Sequence, residues 1–252
     1  MKPLFAVLAL LLAFASGCNA SSNGLAPVQT GATTAQARFV NGAPVLETGS
    51  GGTVVSLGAA YLQFDAATIA SQFPYGSVTQ YVSVLGTHPN SIELYDATGY
   101  SVGPIAVPPL SGGKSYSLVL VGSYPNYRIL AFEDPLPTGG ASIVVRNAAS
   151  QYRDADFGTF DAASASGYVK RGSVAYGSEK SVSLGTSVTN LGAYAGTGTT
   201  PFPNQSSLTL ASVDSFDGSS SLPFNASGRL SLFIIDQSSD GSAGPLLGVL
   251  DR

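Results

Sequence analysis

Tryptophan is absent from the 252 residues, and cysteine, histidine and methionine occur once each. With one cysteine, Cys18, an internal disulfide is impossible. Zinc or iron–sulfur sites built on cysteine clusters are excluded for the same reason. One histidine, His88, leaves no histidine pair for a metal. Charge is also scarce: Asp, Glu, Lys and Arg make up 10% of the chain, against about 25% in ordinary soluble domains. The net charge is −4, and no basic run is longer than Lys170-Arg171. A nucleic-acid backbone calls for many cations gathered on one face, so no nucleic-acid partner is expected. Long hydrophobic runs are missing too. The run from Leu4 to Phe14, "LFAVLALLLAF", has eleven residues, and crossing a bilayer takes about twenty. Apolar content is nevertheless 44%, enough to build packed cores rather than a disordered chain.

What is present begins with an ordered N-terminus. Met1-Lys2 is cationic, Leu4 to Phe14 is apolar, and Ala15-Ser16-Gly17 is small. That order is the layout of a secretory signal. Cys18 follows at once, and "ASGC" resembles the bacterial lipoprotein box. In that box the cysteine sulfur takes a diacylglycerol, the signal (residues 1–17) is removed, and the new amine is acylated. The resemblance implies lipidation at Cys18 with palmitate-type chains. Each buried methylene adds about 0.8 kcal/mol, so two or three chains anchor almost permanently. Asn19 rather than Asp follows the cysteine. By the enterobacterial rule this favours the outer membrane within the cell envelope. Residues 18–36 carry the cysteine and "NASSNGLAPVQTGATTAQ", which lacks apolar periodicity and reads as a flexible tether.

From Ala37 onward, Gly, Pro, Asn and Asp punctuate the chain every eight to twelve residues, between short β-branched and aromatic runs. That spacing predicts an all-β sandwich or barrel. In "SYSLVLVGS", Tyr116, Leu118 and Leu120 share one face and Val119 and Val121 the other, so this strand is expected to be covered on both sides. In "SIELYDA", Ile92 and Leu94 oppose Ser91, Glu93 and Tyr95. In "QYVSVLG", Val82 and Val84 oppose Tyr81 and Ser83. The single helical candidate is Asp65 to Phe73, "DAATIASQF", with Asp65 as its cap.

The halves resemble each other in three ordered places. "QARFVNGAPV" matches "ASIVVRNAAS", "LSGGKSYSLVLVGS" matches "FNASGRLSLFIID", and "YRILAFEDP" matches "GPLLGVLDR". This pattern predicts a first module over residues 37–137 and a second, divergent one over 138–252. "TGGAS" is the expected link, and "GAYAGTGTTPFPNQSS" an elaborated loop. "ARFVNGAP", "FPYGSVTQYVSV" and "LSGGKSYSLVLVG" followed by "RILAFEDP" resemble the DUF4397 family. The resemblance implies two tandem Ig-like or transthyretin-like β-sandwiches in an exported lipoprotein. It implies no catalytic residues.

Candidate chemistry is thin. "GYSVG" around Ser101 matches a nucleophile elbow, but the elbow needs a helix after the serine and a histidine later in the chain. "PIAVPPL" follows Ser101, and His88 precedes it. His88 in "GTHPNS" reads as a turn residue. Acidic pairs occur at Glu133-Asp134, Asp154 with Asp156, Asp214 with Asp217, and Asp236 with Asp240. Asp154 and Asp156 in "YRDADFG" have the alternate spacing that suits calcium, although two carboxylates fall short of its six to eight oxygens. Paired carboxylates also serve glycoside hydrolysis. The twelve tyrosines, among them Tyr75, Tyr124 and Tyr127, suit sugar stacking, partner contacts or simple strand filling. The expectation is therefore a non-enzymatic envelope protein without a cofactor. It would be held to the membrane by its lipid and bind an envelope protein or glycan. The alternatives are an exported enzyme acting on glycans or esters, and a calcium or small-molecule binding module.

Overall fold

The computed structural model describes residues 34–43, 61–86, 89–95, 101–122, 126–134, 142–150, 154–160, 168–182, 190–195, 208–209, 229–236 and 246–251. They form an all-β, sandwich-like fold with no helix among the described residues. Its strands are β1 (Thr34–Asn41), β2 (Tyr61–Phe64), β3 (Ala67–Ala70), β4 (Val82–Leu85), β5 (Asn90–Tyr95), β6 (Ser101–Val107), β7 (Ser115–Val121) and β8 (Arg128–Glu133). They continue as β9 (Ser142–Asn147), β10 (Asp154–Phe160), β11 (Tyr168–Ala175), β12 (Glu179–Val182), β13 (Asn190–Ala195), β14 (Leu208–Thr209), β15 (Arg229–Ile234) and β16 (Leu246–Asp251).

Four four-stranded sheets result. The first half has the orders β4-β1-β7-β8 and β3-β2-β5-β6, and the second has β12-β9-β15-β16 and β11-β10-β13-β14. Adding eight to each strand number of the first half gives the second. The match extends to strand direction: β1 and β7 are parallel, as are β9 and β15. The three sequence matches fall on these equivalent strands, β1 with β9, β7 with β15, and β8 with β16. The corners agree in detail. After β1, Asn41 donates to the Phe73 carbonyl at 2.8 Å and accepts from Ala43 N at 3.1 Å. After β9, Asn147 donates to the Val174 carbonyl at 3.1 Å and accepts from Ala149 N at 3.0 Å.

Strand β7 explains how the layers join. Tyr116, Leu118 and Leu120 face the first core, with Phe39, Leu62, Phe64, Ile92 and Leu94. Phe39 and Phe64 meet edge to face there, 5.5 Å between centroids. Val119 and Val121 face a second cluster, with Val40 and Phe132 from the first half and Ala148, Phe233 and Ile235 from the second. The sheet β4-β1-β7-β8 therefore has both faces covered. Fully burying each such aliphatic side chain contributes about 1.5–3 kcal/mol, before entropy is counted.

Three expectations change. Asp65–Phe73 is not a helix: Ala67–Ala70 is strand β3, paired back on β2 with Phe64 opposite Ala67. Asp65 and Ala66 close this hairpin with φ of 46° and 65°, the left-handed pair that matches strand twist in a two-residue turn. Asp65 accepts a hydrogen bond from Ser91 N across the sheet, at 2.9 Å, instead of capping a helix. "GAYA" within the expected loop is part of β13, and "DADFG" lies on β10. Strand β1 starts at Thr34, inside the segment expected to be tether, because Thr34 to Ala37 pair with Leu85 to Val82. Among the described residues, no helix is long and apolar enough to cross a membrane.

Candidate functional site

The sequence candidates scatter. Cys18, His88, Tyr124, Asp214, Asp217 and Asp240 lie outside the described residues. Ser101 is exposed at the first position of β6, and the chain continues as strand, so no helix follows it. Asp154 is exposed on β10, while Asp156, two residues on, is buried. Asp156 accepts from the Ser173 hydroxyl at 2.5 Å, and the Lys170 ammonium lies 2.8 Å from its other oxygen. Among the described residues, no three His, Cys, Asp or Glu side chains converge. Tyr61 and Tyr95 stack in parallel on the outer face of β2 and β5, 4.8 Å apart. Tyr127 packs against the first core. Tyr75 donates through its hydroxyl to the Asp236 carbonyl in the other half. Burial, then the Asp236 charge, push its hydroxyl pKa well up.

The acidic pair Glu133-Asp134 divides. Glu133 binds Lys114 at 2.7 Å on the surface. Asp134 turns inward, where its side chain is 1% exposed, and forms the centre of a charged cluster between the halves. Arg146 of β9, itself 0% exposed, places Nη2 2.6 Å from Asp134 Oδ1. The same guanidinium donates Nε to Glu179 at 2.9 Å, Nη1 to the Ser117 and Ser231 hydroxyls at 3.2 and 3.3 Å, and Nη2 to the Glu133 carbonyl at 3.2 Å. Arg38 of β1 donates to Ser117 at 2.7 Å and Ser231 at 3.1 Å, and lies 3.5 Å from Asp134. Ser117 and Tyr81 both donate to Asp134 Oδ2, at 2.7 and 2.9 Å. Phe233 lies under both guanidinium groups, 5.9 Å from Arg38 and 5.3 Å from Arg146.

Electrostatics follow from that geometry. Burial alone would raise the Asp134 pKa. The charge of Arg146, then that of Arg38, then the bonds from Ser117 and Tyr81 outweigh burial and hold it below the usual carboxylate range. Asp134 and Glu179 balance the two arginines. A buried pair like this adds little net stability over a well-packed apolar core, but removing one member costs about 3–5 kcal/mol. Its buried members, Arg38, Asp134 and Arg146, link one half to the other, while Glu179 and Tyr81 reach the surface.

Pattern reading missed this site, although both arginines interrupt apolar strand runs, in "ARFV" and "IVVRN". Charged residues are almost never fully buried unless paired, so that placement was the available signal. The partner Asp134 could not be read locally, because it sits in a different half from Arg146. No family model matches the chain, and no curated protein matches it.

Proposed function

We propose that this chain is an exported, lipid-anchored, non-catalytic binding protein of the bacterial cell envelope, with two tandem Ig-like or transthyretin-like sandwiches as its body. The observation behind the binding reading is where buried charge is used. Arg38, Asp134 and Arg146 are occupied with one another at the joint between the halves, in a chain that carries little charge elsewhere. Loops on a rigid scaffold are the usual place for contact residues. The anchoring reading is supported by the order cationic start, apolar run, small residues and Cys18, and by the likeness of "ASGC" to the lipoprotein box. Acyl chains on Cys18 would hold the body at an outer-membrane surface, and the tether between Cys18 and β1 at Thr34 would give it reach. The internal match of the halves, in sequence and in strand order, supports a duplicated module like those of the DUF4397 family.

Crosslinking in intact cells followed by pulldown tests the reading, with a Cys18→Ala strain as control. The expected result is a specific envelope protein or glycan captured with wild type and depleted with the variant, which should leave the membrane fraction. Membrane retention of the variant would end the anchoring reading. The absence of any specific partner would end the binding one.

A further inference from the structure

The two halves share a strand order but differ at one seam. In the second half, β11 runs for eight residues and packs against β12 and β9, closing the gap between the two sheets. The closure is tight: a Cβ on Gly172 of β11 would sit 3.0 Å from Lys180 Nζ of β12 and 2.9 Å from the Phe157 ring. In the first half, the equivalent strand β3 has only four residues and makes no comparable contact with β4 or β1. The seam there stays open as a groove of about 360 Å³. Its lining is uncharged and mixes apolar residues, among them Ile69, Phe73, Val78 and Val82, with polar ones such as Gln72 and Gln80.

Edge position, shared with β11 and β12, and one further difference, in charge, bear on what fits. β3 and β4 are the outermost strands of their sheets, so among the described residues no strand pairs with the outer edge of either. Outer edges are ordinarily guarded by charge. The second half follows that rule, with Lys170, Arg171, Glu179 and Lys180 on β11 and β12. The first half does not: no charged residue occurs from Ala66 to Leu85.

We propose that this groove receives an uncharged, extended polypeptide segment of a partner chain, added as a strand to the edge of β3 or β4. Main-chain N–H and C=O groups on the edge supply the hydrogen bonds, and alternate side chains of the segment enter the groove. Four residues of strand span about 13 Å, enough for a short segment. The lack of charge on the walls selects against Lys, Arg, Asp and Glu in the inserted positions, where such a side chain would lose water without gaining a partner. The inference rests on the binding reading above but does not depend on Cys18.

The test uses the purified full chain and two pools of fluorescent seven-residue peptides. One alternates Val or Ile with Ser, Thr or Asn, and the other carries Lys or Glu at the alternate apolar positions. Fluorescence anisotropy should show saturable binding of the neutral pool, at least tenfold tighter than the charged pool. Amide hydrogen exchange should slow in residues 67–70 or 82–85 and stay unchanged in 179–182. Gln80→Lys, at an exposed position, should weaken binding at least fivefold without changing the melting temperature, and Ile69→Lys, whose side chain also packs on the first core, should weaken binding at least fivefold when read below its own, lower melting temperature. The proposal is overturned by no binding of the neutral pool, by equal binding of both pools, or by indifference of both variants. Protection elsewhere in the chain overturns it too, as does self-association that protects the same strands without peptide. A partner captured in cells that leaves exchange over 67–85 unchanged would remove the groove and keep the binding reading.

Discussion

Arg146 reaches Asp134, Glu179, Ser117, Ser231 and the Glu133 carbonyl at once, from a side chain with no exposed surface. Asp134→Asn keeps the shape and removes the charge that both arginines face. The variant is expected to lose about 3–5 kcal/mol of stability in denaturant unfolding. The pH dependence has a definite sign. Because the folded carboxyl titrates below its ordinary value of about 4, the unfolded state takes up its proton first as pH falls. The stabilisation from Asp134 is therefore complete above about pH 4 and disappears as pH drops through the lower folded value. Unfolding curves should show that acid loss in wild type and lack it in Asp134→Asn; equal acid slopes would contradict the assignment. The arginines also mark how far residue patterns carry. With the corner residues Asn41 and Asn147 aligned, Arg38 falls at the place of Val144, and Arg146 at that of Val40. Ser117 and Ser231 occupy matching places on the parallel partners, opposite Arg38 and Val144. The halves share strand order and register but differ in where the arginines stand, so comparing them does not reveal the cluster.

Strands that alternate were legible and the short hairpin was not. Period two placed Ile92 and Leu94 in the core and put β7 between two apolar clusters. "DAATIASQF" misled because Asp followed by Ala, Ala and Thr suits a helix start as well as a turn, and only pairing with β2 decides between them. The turn retains a cost: Ala66 has φ of 65°, a region that side chains with a Cβ disfavour. Ala66→Gly should therefore raise stability by about 0.5–1 kcal/mol, the relief of the left-handed strain less the entropy of the added glycine. A lower melting temperature would contradict the hairpin. At the closed seam, Gly172→Ala is expected to destabilise by about 1–3 kcal/mol, because its Cβ would press on the buried Phe157 ring. An unchanged melting temperature would mean that β11 does not lie so close.

For the molecule as a whole, the strand order repeats with an offset of eight, and one apolar and charged joint links the halves. The turns Tyr75-Gly76-Ser77 and Tyr176-Gly177-Ser178 each reach across it. Tyr75 bonds to the Asp236 carbonyl, and the Tyr176 ring lies 4.8 Å beneath the Arg128 guanidinium. The likeness of the halves was legible because strands repeat their apolar runs; the joint was not, because it depends on which faces meet. The low charge carries a prediction at this scale. Affinity for the proposed envelope partner should change less than threefold between 50 and 500 mM salt, since screening acts on charge; a steep loss would indicate an ionic interface instead. The central claim, that the body is leashed to a membrane by one sulfur, is tested most directly by intact mass spectrometry of the mature protein from the native host. The account requires an N-terminus at Cys18 carrying fatty-acyl mass. A mature chain starting elsewhere, or starting at Cys18 with an unmodified thiol, would contradict it.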